Sequence, residues 1–197
     1  AAWSKSARHV VGPSISDACD VLREIKREME IRYSQLLASG QRKVSRGDGH
    51  RLHVVVCDEL AFYLTMGDRK ENQEFERLAR DLVARGRAAG VIFLAATQRP
   101  SHDIVQTSLR DLFAFRWALR CTTPQASDTI LGQGWASQGF STHTIDAAHR
   151  GVGYLRHEGA EPQRIRSFYL DDHDIEELGR RSALLRNVPQ QPEQLSA

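Results

Sequence analysis

The sequence predicts an α/β protein with a mostly parallel sheet and helices on both faces. Two observations carry this. His53-Val54-Val55-Val56-Cys57 and Val91-Ile92-Phe93-Leu94-Ala95-Ala96 are apolar runs too short for helices and apolar on both faces, as buried parallel strands are. Between them, helical spacing from about Glu71 to Ala89 puts Phe75, Leu78, Ala79, Leu82 and Val83 on one face, with Gly90 as the stop. Strand, helix and strand at this separation make a βαβ unit, and strands apolar on both faces need helices over each.

The other elements follow in chain order. Residues 1–13 read as an irregular lead-in ending at Gly12-Pro13. Ser14 or Ser16 can cap a helix in which Ala18, Val21, Leu22, Ile25, Met29 and Leu36 recur at helical spacing, and Gly40 closes it. A basic, glycine-bearing loop spans Gln41 to Gly49. Leu112 to Cys121 reads as a third strand, Pro124 to Leu131 as a short helix, and Gly132 to Thr144 as a loop. Two late strands, Val152–Arg156 and Arg164–Phe168, precede a helix from Asp172 to Arg181. The domain is drawn over 14–182, and 183–197, with Pro189 and Pro192, as a flexible tail.

Composition narrows the classes. The 197 residues are 41% hydrophobic, enough for a real core and too apolar for a disordered tail. No run approaches the ~20 apolar residues of a membrane-spanning helix. A net charge of +2 excludes a polycation. Lysine occurs only at 5, 26, 43 and 70, so the cationic side chains are mainly the planar forks that suit phosphate and carboxylate, or that a coding bias produces. Cys19, Cys57 and Cys121 are odd in number and far apart, which points to a reducing, cytoplasmic setting. The eight histidines show no HExxH spacing, so no metal held by protein side chains alone is expected.

Chemistry gathers at the strand ends. Asp58 and Glu59 follow the strand at 53–57, and in open α/β folds ligands bind at the carboxyl ends of strands. Four apolar residues then Asp-Glu is the Walker B pattern: one carboxylate orders Mg²⁺ through its water shell, the other polarises the attacking water. The pair equally suits the first turn of a helix, which favours acids. Thr97-Gln98-Arg99-Pro100 ends the next strand, with Gln98 either a γ-phosphate sensor or part of a turn. Arg87, in Gly86-Arg87-Ala88-Ala89-Gly90, suits a helix-dipole cap or an arginine finger acting in a neighbouring subunit.

Taken together, Val54-Val55-Val56-Cys57-Asp58-Glu59, Gly86-Arg87-Ala88-Ala89-Gly90 and Leu94-Ala95-Ala96-Thr97-Gln98-Arg99-Pro100-Ser101 closely resemble the FtsK/SpoIIIE family of DNA-pumping ATPases, from about Val21 to Leu170. The resemblance implies a RecA-like P-loop NTPase core, with ATP and Mg²⁺ as cofactors and a hexameric ring as the assembly. It implies double-stranded DNA as partner, in chromosome segregation, cell division or conjugation. The setting is a bacterial cytoplasm, with any membrane tether in segments outside this chain. By position, Asp58 and Glu59 match the Walker B pair, with Asp58 holding Mg²⁺ through water. Arg87 matches the finger, Gln98 the sensor, and Arg99 and Arg110 the basic residues facing the DNA pore. At two positions where the family often carries basic residues stand Pro124 and Asp128.

One element of the pattern is missing. No GxxxxGK[ST] occurs, and Gly40-Gln41-Arg42-Lys43-Val44-Ser45 has one glycine, the wrong spacing and no strand before it. In the family that Walker A segment lies upstream, and with Ala1 rather than Met at the start it is expected in preceding sequence. Two other functions are weighed: a type VII-like protein secretion ATPase of the same superfamily, and a non-hydrolysing interaction module. Arg99 and Ser101 favour DNA over protein as cargo.

Overall fold

The computed structural model describes residues 4, 6–45, 48–157 and 159–186. These form two compact units, 14–166 and the described parts of 1–13 and 167–197. Within the first, α1 (Ile15–Ala38) starts at Ser14, whose Oγ accepts from the Asp17 N–H. Met29 and Leu36 bury fully against α3 (Arg69–Arg85), which presents Phe75, Leu78, Ala79 and Leu82. The first turn of α3 is set by a capping box: Asp68 accepts from the Glu71 N–H, and the Glu71 carboxylate accepts from the Asp68 N–H. Ion pairs of Arg23 with Glu74 and Lys26 with Asp81 tie the two helices together.

Under these helices lie β1 (His53–Cys57) and β2 (Val91–Ala95), paired in parallel with His53 opposite Val91 and Cys57 opposite Ala95. Between them α3 ends one turn earlier than its spacing predicts. Gly86–Ala89 tightens into a 3₁₀ turn, and Gly90 adopts a left-handed φ of 73°. Glycine suits Gly86 for another reason: a Cβ there would stand 2.8 Å from the Val91 carbonyl oxygen. A short helix the sequence reading did not include, α2 (Leu60–Thr65), follows β1 directly.

After α4 (Thr107–Arg110), the chain builds a second sheet: β3 (Phe115–Leu119), β4 (Val152–His157) and β5 (Gln163–Arg166), all antiparallel. α5 (Pro124–Leu131) packs against β3, capped by the Thr123 hydroxyl and with proline in its first turn.

Three expectations change. The sheet is not mostly parallel: one parallel pair and an antiparallel trio form among the described residues, because β4 and β5 are joined by too short a link for a crossover. The 53–57 run is not a strand buried between neighbours as its apolar faces suggested, since among the described residues β1 pairs with β2 alone. Nor do helices cover both faces of the pair: Val54, Val56, Ile92 and Leu94 stand 45–66% exposed. Alternation along each strand buries one face on α1 and α3 and leaves the other bare.

In the second unit, α6 (Asp172–Arg186) outruns its expected end at Arg181, so 183–186 are helical rather than tail. Arg186 donates to the Ser6 carbonyl there. The tail from 187 onward, residues 1–3 and 5 of the lead-in, and Arg46 and Gly47 of the basic loop lie outside the described residues. Among the described residues, no helix is long and apolar enough to cross a membrane.

Candidate strand-tip site

The parallel register brings the two chemistry-bearing segments together. Beyond the strands the ladder continues: the Ala96 N–H donates to the Cys57 carbonyl and the Leu60 N–H to the Ala96 carbonyl, each at 2.8 Å. Glu59 therefore emerges beside Thr97. Its Oε1 accepts from the Thr97 hydroxyl at 2.5 Å and its Oε2 from the Gln98 N–H at 3.1 Å. Oε1 also accepts from the Ala61 N–H at 3.2 Å, making Glu59 the N-cap of α2. The helix-start reading of Glu59 is thus realised in the same geometry that ties it to the next strand.

Partial burial pushes the Glu59 carboxyl up, but the Thr97 hydroxyl and the Gln98 and Ala61 N–H groups outweigh it. The net effect holds the group below the usual carboxylate range. Asp58 stands one residue nearer the strand and is exposed, as are the Gln98 and Arg99 side chains. Thr97 is the residue the sequence reading passed over. It links the two strand ends through its hydroxyl, which also accepts from the Arg99 N–H at 3.0 Å. Burial pushes the adjacent Cys57 thiol up to about 12, so it stays neutral beneath the site.

Arg87 is not brought to this group. It is exposed on the 3₁₀ turn at the opposite end of β2, one strand length away, about 16 Å at 3.3 Å per residue. That turn is held by Arg32, a nearly buried side chain on α1 that sequence reasoning also passed over. Arg32 donates to the Ala89 carbonyl at 2.9 Å and pairs with Glu28 at 3.2 Å. A charged residue at a core position of an amphipathic helix was the available signal. The Gly40–Ser45 loop lies at this same end, with the Val44 N–H on the Ala88 carbonyl. It makes no phosphate cradle beside Asp58.

Arg110 is not paired with Asp111 or Asp103. Its guanidinium donates to the carbonyls of Pro100 and Thr129 and to the Thr107 hydroxyl, clamping α4 to α5. Asp128 is committed elsewhere, accepting from the N–H groups of Gly134 and Ala136.

The donor set fits half of a magnesium–nucleotide site. Asp58 offers an exposed carboxylate, Glu59 an ionised base and Gln98 an exposed amide, all at one sheet end. The described residues offer no glycine-rich turn of N–H groups for the phosphates there.

The α/β architecture is shared with solved structures. A plasmid pCW3 conjugation coupling protein, TcpA, solved with ATPγS, superposes with a TM-score of 0.73 at 21% identity, covering 88% of this chain and 49% of that one. The type VII secretion ATPase EccC of Thermomonospora curvata superposes at 0.61 with 20% identity, over 91% of this chain and 21% of that one. In sequence, the chain is 30% identical over 184 residues to the DNA translocase FtsK of Chlorobaculum tepidum, covering 89% of this chain and 20% of that protein. It is 26% identical over 189 residues to the DNA translocase SpoIIIE of Bacillus subtilis, covering 86% and 22%. Over most of its length the chain is a homologue of the FtsK/SpoIIIE DNA translocases. It spans about a fifth of the length of these curated relatives. No family model matches it.

Proposed function

We propose that this chain supplies the hydrolytic half of the motor domain of an ATP-driven double-stranded DNA translocase with a RecA-like core. The observation that carries the reading is the coupling of Glu59 to Thr97 and Gln98 across two parallel strand ends. Asp58 would hold Mg²⁺, and the ion would supply charge neutralisation at the phosphates. Glu59, ionised at neutral pH, polarises the attacking water, and Gln98 senses the γ-phosphate. The phosphate cradle comes from a Walker A segment not contained in these residues.

Arg87 works in trans in a hexameric ring, because one strand length separates it from its own chain's Glu59. Arg99 faces DNA phosphates. Arg110, half committed to backbone carbonyls, positions the segment and adds positive charge. The homologues named DNA translocases favour DNA as cargo, for chromosome segregation, cell division or conjugative transfer, in a bacterial cytoplasm and with any membrane tether elsewhere in the protein. The fold alone also suits a protein secretion ATPase, as the EccC likeness illustrates.

DNA binding separates the two. In the complete protein, affinity for duplex DNA should be insensitive to sequence and fall steeply with salt. The log–log salt slope should flatten by about 0.9, one phosphate contact, in the Arg99→Ala variant. An unchanged slope, or no duplex binding by the parent protein, would remove DNA from the reading.

A further inference from the structure

The antiparallel sheet places two like charges side by side. In the β3–β4 register Arg116 stands directly opposite Arg156, an arrangement that destabilises a sheet unless something compensates it. Compensation within the described residues is incomplete. Arg116 donates from Nη2 to Asp111 at 2.9 Å and from Nε to the Phe113 carbonyl at 3.3 Å. Arg156 has only neutral partners: Nη1 donates to the Leu131 carbonyl at 2.7 Å, and its guanidinium lies 5.6 Å from the centre of the Trp135 ring. The Arg156 Nε is closed off and has no hydrogen-bond partner among the described residues, so only the outer Nη atoms of this side chain are placed to meet a ligand.

Arg116 and Arg156 both line one cavity of about 150 Å³, together with Asp111, Phe113, Ala114 and Gly159. That is the volume of roughly five liquid waters, room for a tetrahedral oxyanion but not for a nucleoside. Of the described lining residues only Asp111 is acidic, and its side chain is 59% exposed where that of Arg116 is 16%. Among the described lining residues two arginines thus face one aspartate.

We propose that the cavity between Arg116 and Arg156 binds a phosphate group, held by charge-assisted hydrogen bonds from the two facing guanidiniums. The planar forks suit this oxyanion, and the site shares no residue with the strand-tip group at Asp58 to Gln98. Free phosphate and the terminal phosphate of a nucleotide carry the same chemistry.

The test is calorimetric titration of inorganic phosphate into the 197-residue chain, with far-ultraviolet circular dichroism as the check on folding. One saturable phosphate per chain is expected, with affinity at least about tenfold weaker in Arg156→Met. Asp111→Asn removes the competing carboxylate without touching the core, and should tighten binding several-fold even if Arg156→Met fails to fold. ADP displacing the phosphate at equal or higher affinity identifies a nucleotide's terminal phosphate as the ligand. Displacement only at much higher ADP concentration identifies free phosphate. Absence of saturable binding, equal affinity in a folded Arg156→Met, or an Asp111→Asn variant no tighter than the parent would each overturn the proposal.

Discussion

The Glu59 carboxylate accepts three hydrogen bonds, from a hydroxyl and two backbone N–H groups, and each favours the charged form. Removing one should be visible in its titration. Thr97→Val is expected to raise the Glu59 pKa towards its ordinary value, read by carboxyl NMR; an unmoved resonance would show that the hydroxyl bond is not formed. Below Glu59, burial leaves Cys57 neutral near pH 8, whereas Cys121 is partly exposed. Thiolate is the nucleophile, so iodoacetamide should label Cys121 well before Cys57 in the native chain. Equal rates would mean that the sheet end opens readily. Asp58, Glu59 and Gln98 were legible because apolar runs ended in them. Thr97 was given no role, since a lone hydroxyl shows its partner only once the strand register is known, whereas Arg32 could have been singled out as a charge at a core position of α1.

The packed pair of α1 and α3 carries a pH-dependent tie. Arg85 first, then Lys26, hold the Asp81 carboxyl down to about 2 against the opposing effect of burial. A depressed folded pKa stabilises above the unfolded value, near 4, and that stabilisation is lost as pH falls through about 2. Asp81→Asn should therefore lower the melting midpoint at pH 7 and make little difference near pH 2; an equal effect at both would exclude the ion pairs as its cause. In the antiparallel sheet, a Cβ at Gly153 would overlap the Ala118 carbonyl oxygen on β3. Gly153→Ala is expected to destabilise by about 1–3 kcal/mol in urea unfolding, and a neutral result would mean that β3 and β4 sit further apart. Elements with strong caps and periodicity were readable: α1 begins within a residue of its expected start, and α5 spans Pro124–Leu131 as expected. α2 was missed because Leu60–Thr65 is too short for a period to register. Strand direction was misjudged because an apolar run does not encode its partner.

Across the whole molecule, the bare face of β1 and β2 is the main departure from the expected architecture. Val54, Val56, Ile92 and Leu94 are exposed together, a patch of the kind that marks an interaction surface or causes association. The 197-residue chain should bind anilinonaphthalene sulfonate while natively folded, and Val56→Lys with Leu94→Lys should sharply lower that fluorescence. Unchanged fluorescence in the double variant would place the dye elsewhere. The opposite ends of the same two strands separate Arg87 from Glu59, so the account needs two chains to complete one site. Mixed rings of Arg87→Ala subunits and Glu59→Gln subunits should recover part of the activity each lacks alone.

The central claim is that Glu59 activates water for ATP hydrolysis, and single-turnover hydrolysis by the complete protein tests it most directly. Glu59→Gln should bind ATP with nearly unchanged affinity and hydrolyse it at least ~100-fold more slowly, the usual scale for loss of a general base. Near-normal turnover in a folded Glu59→Gln ring would contradict the account and leave Glu59 as the cap of a short helix.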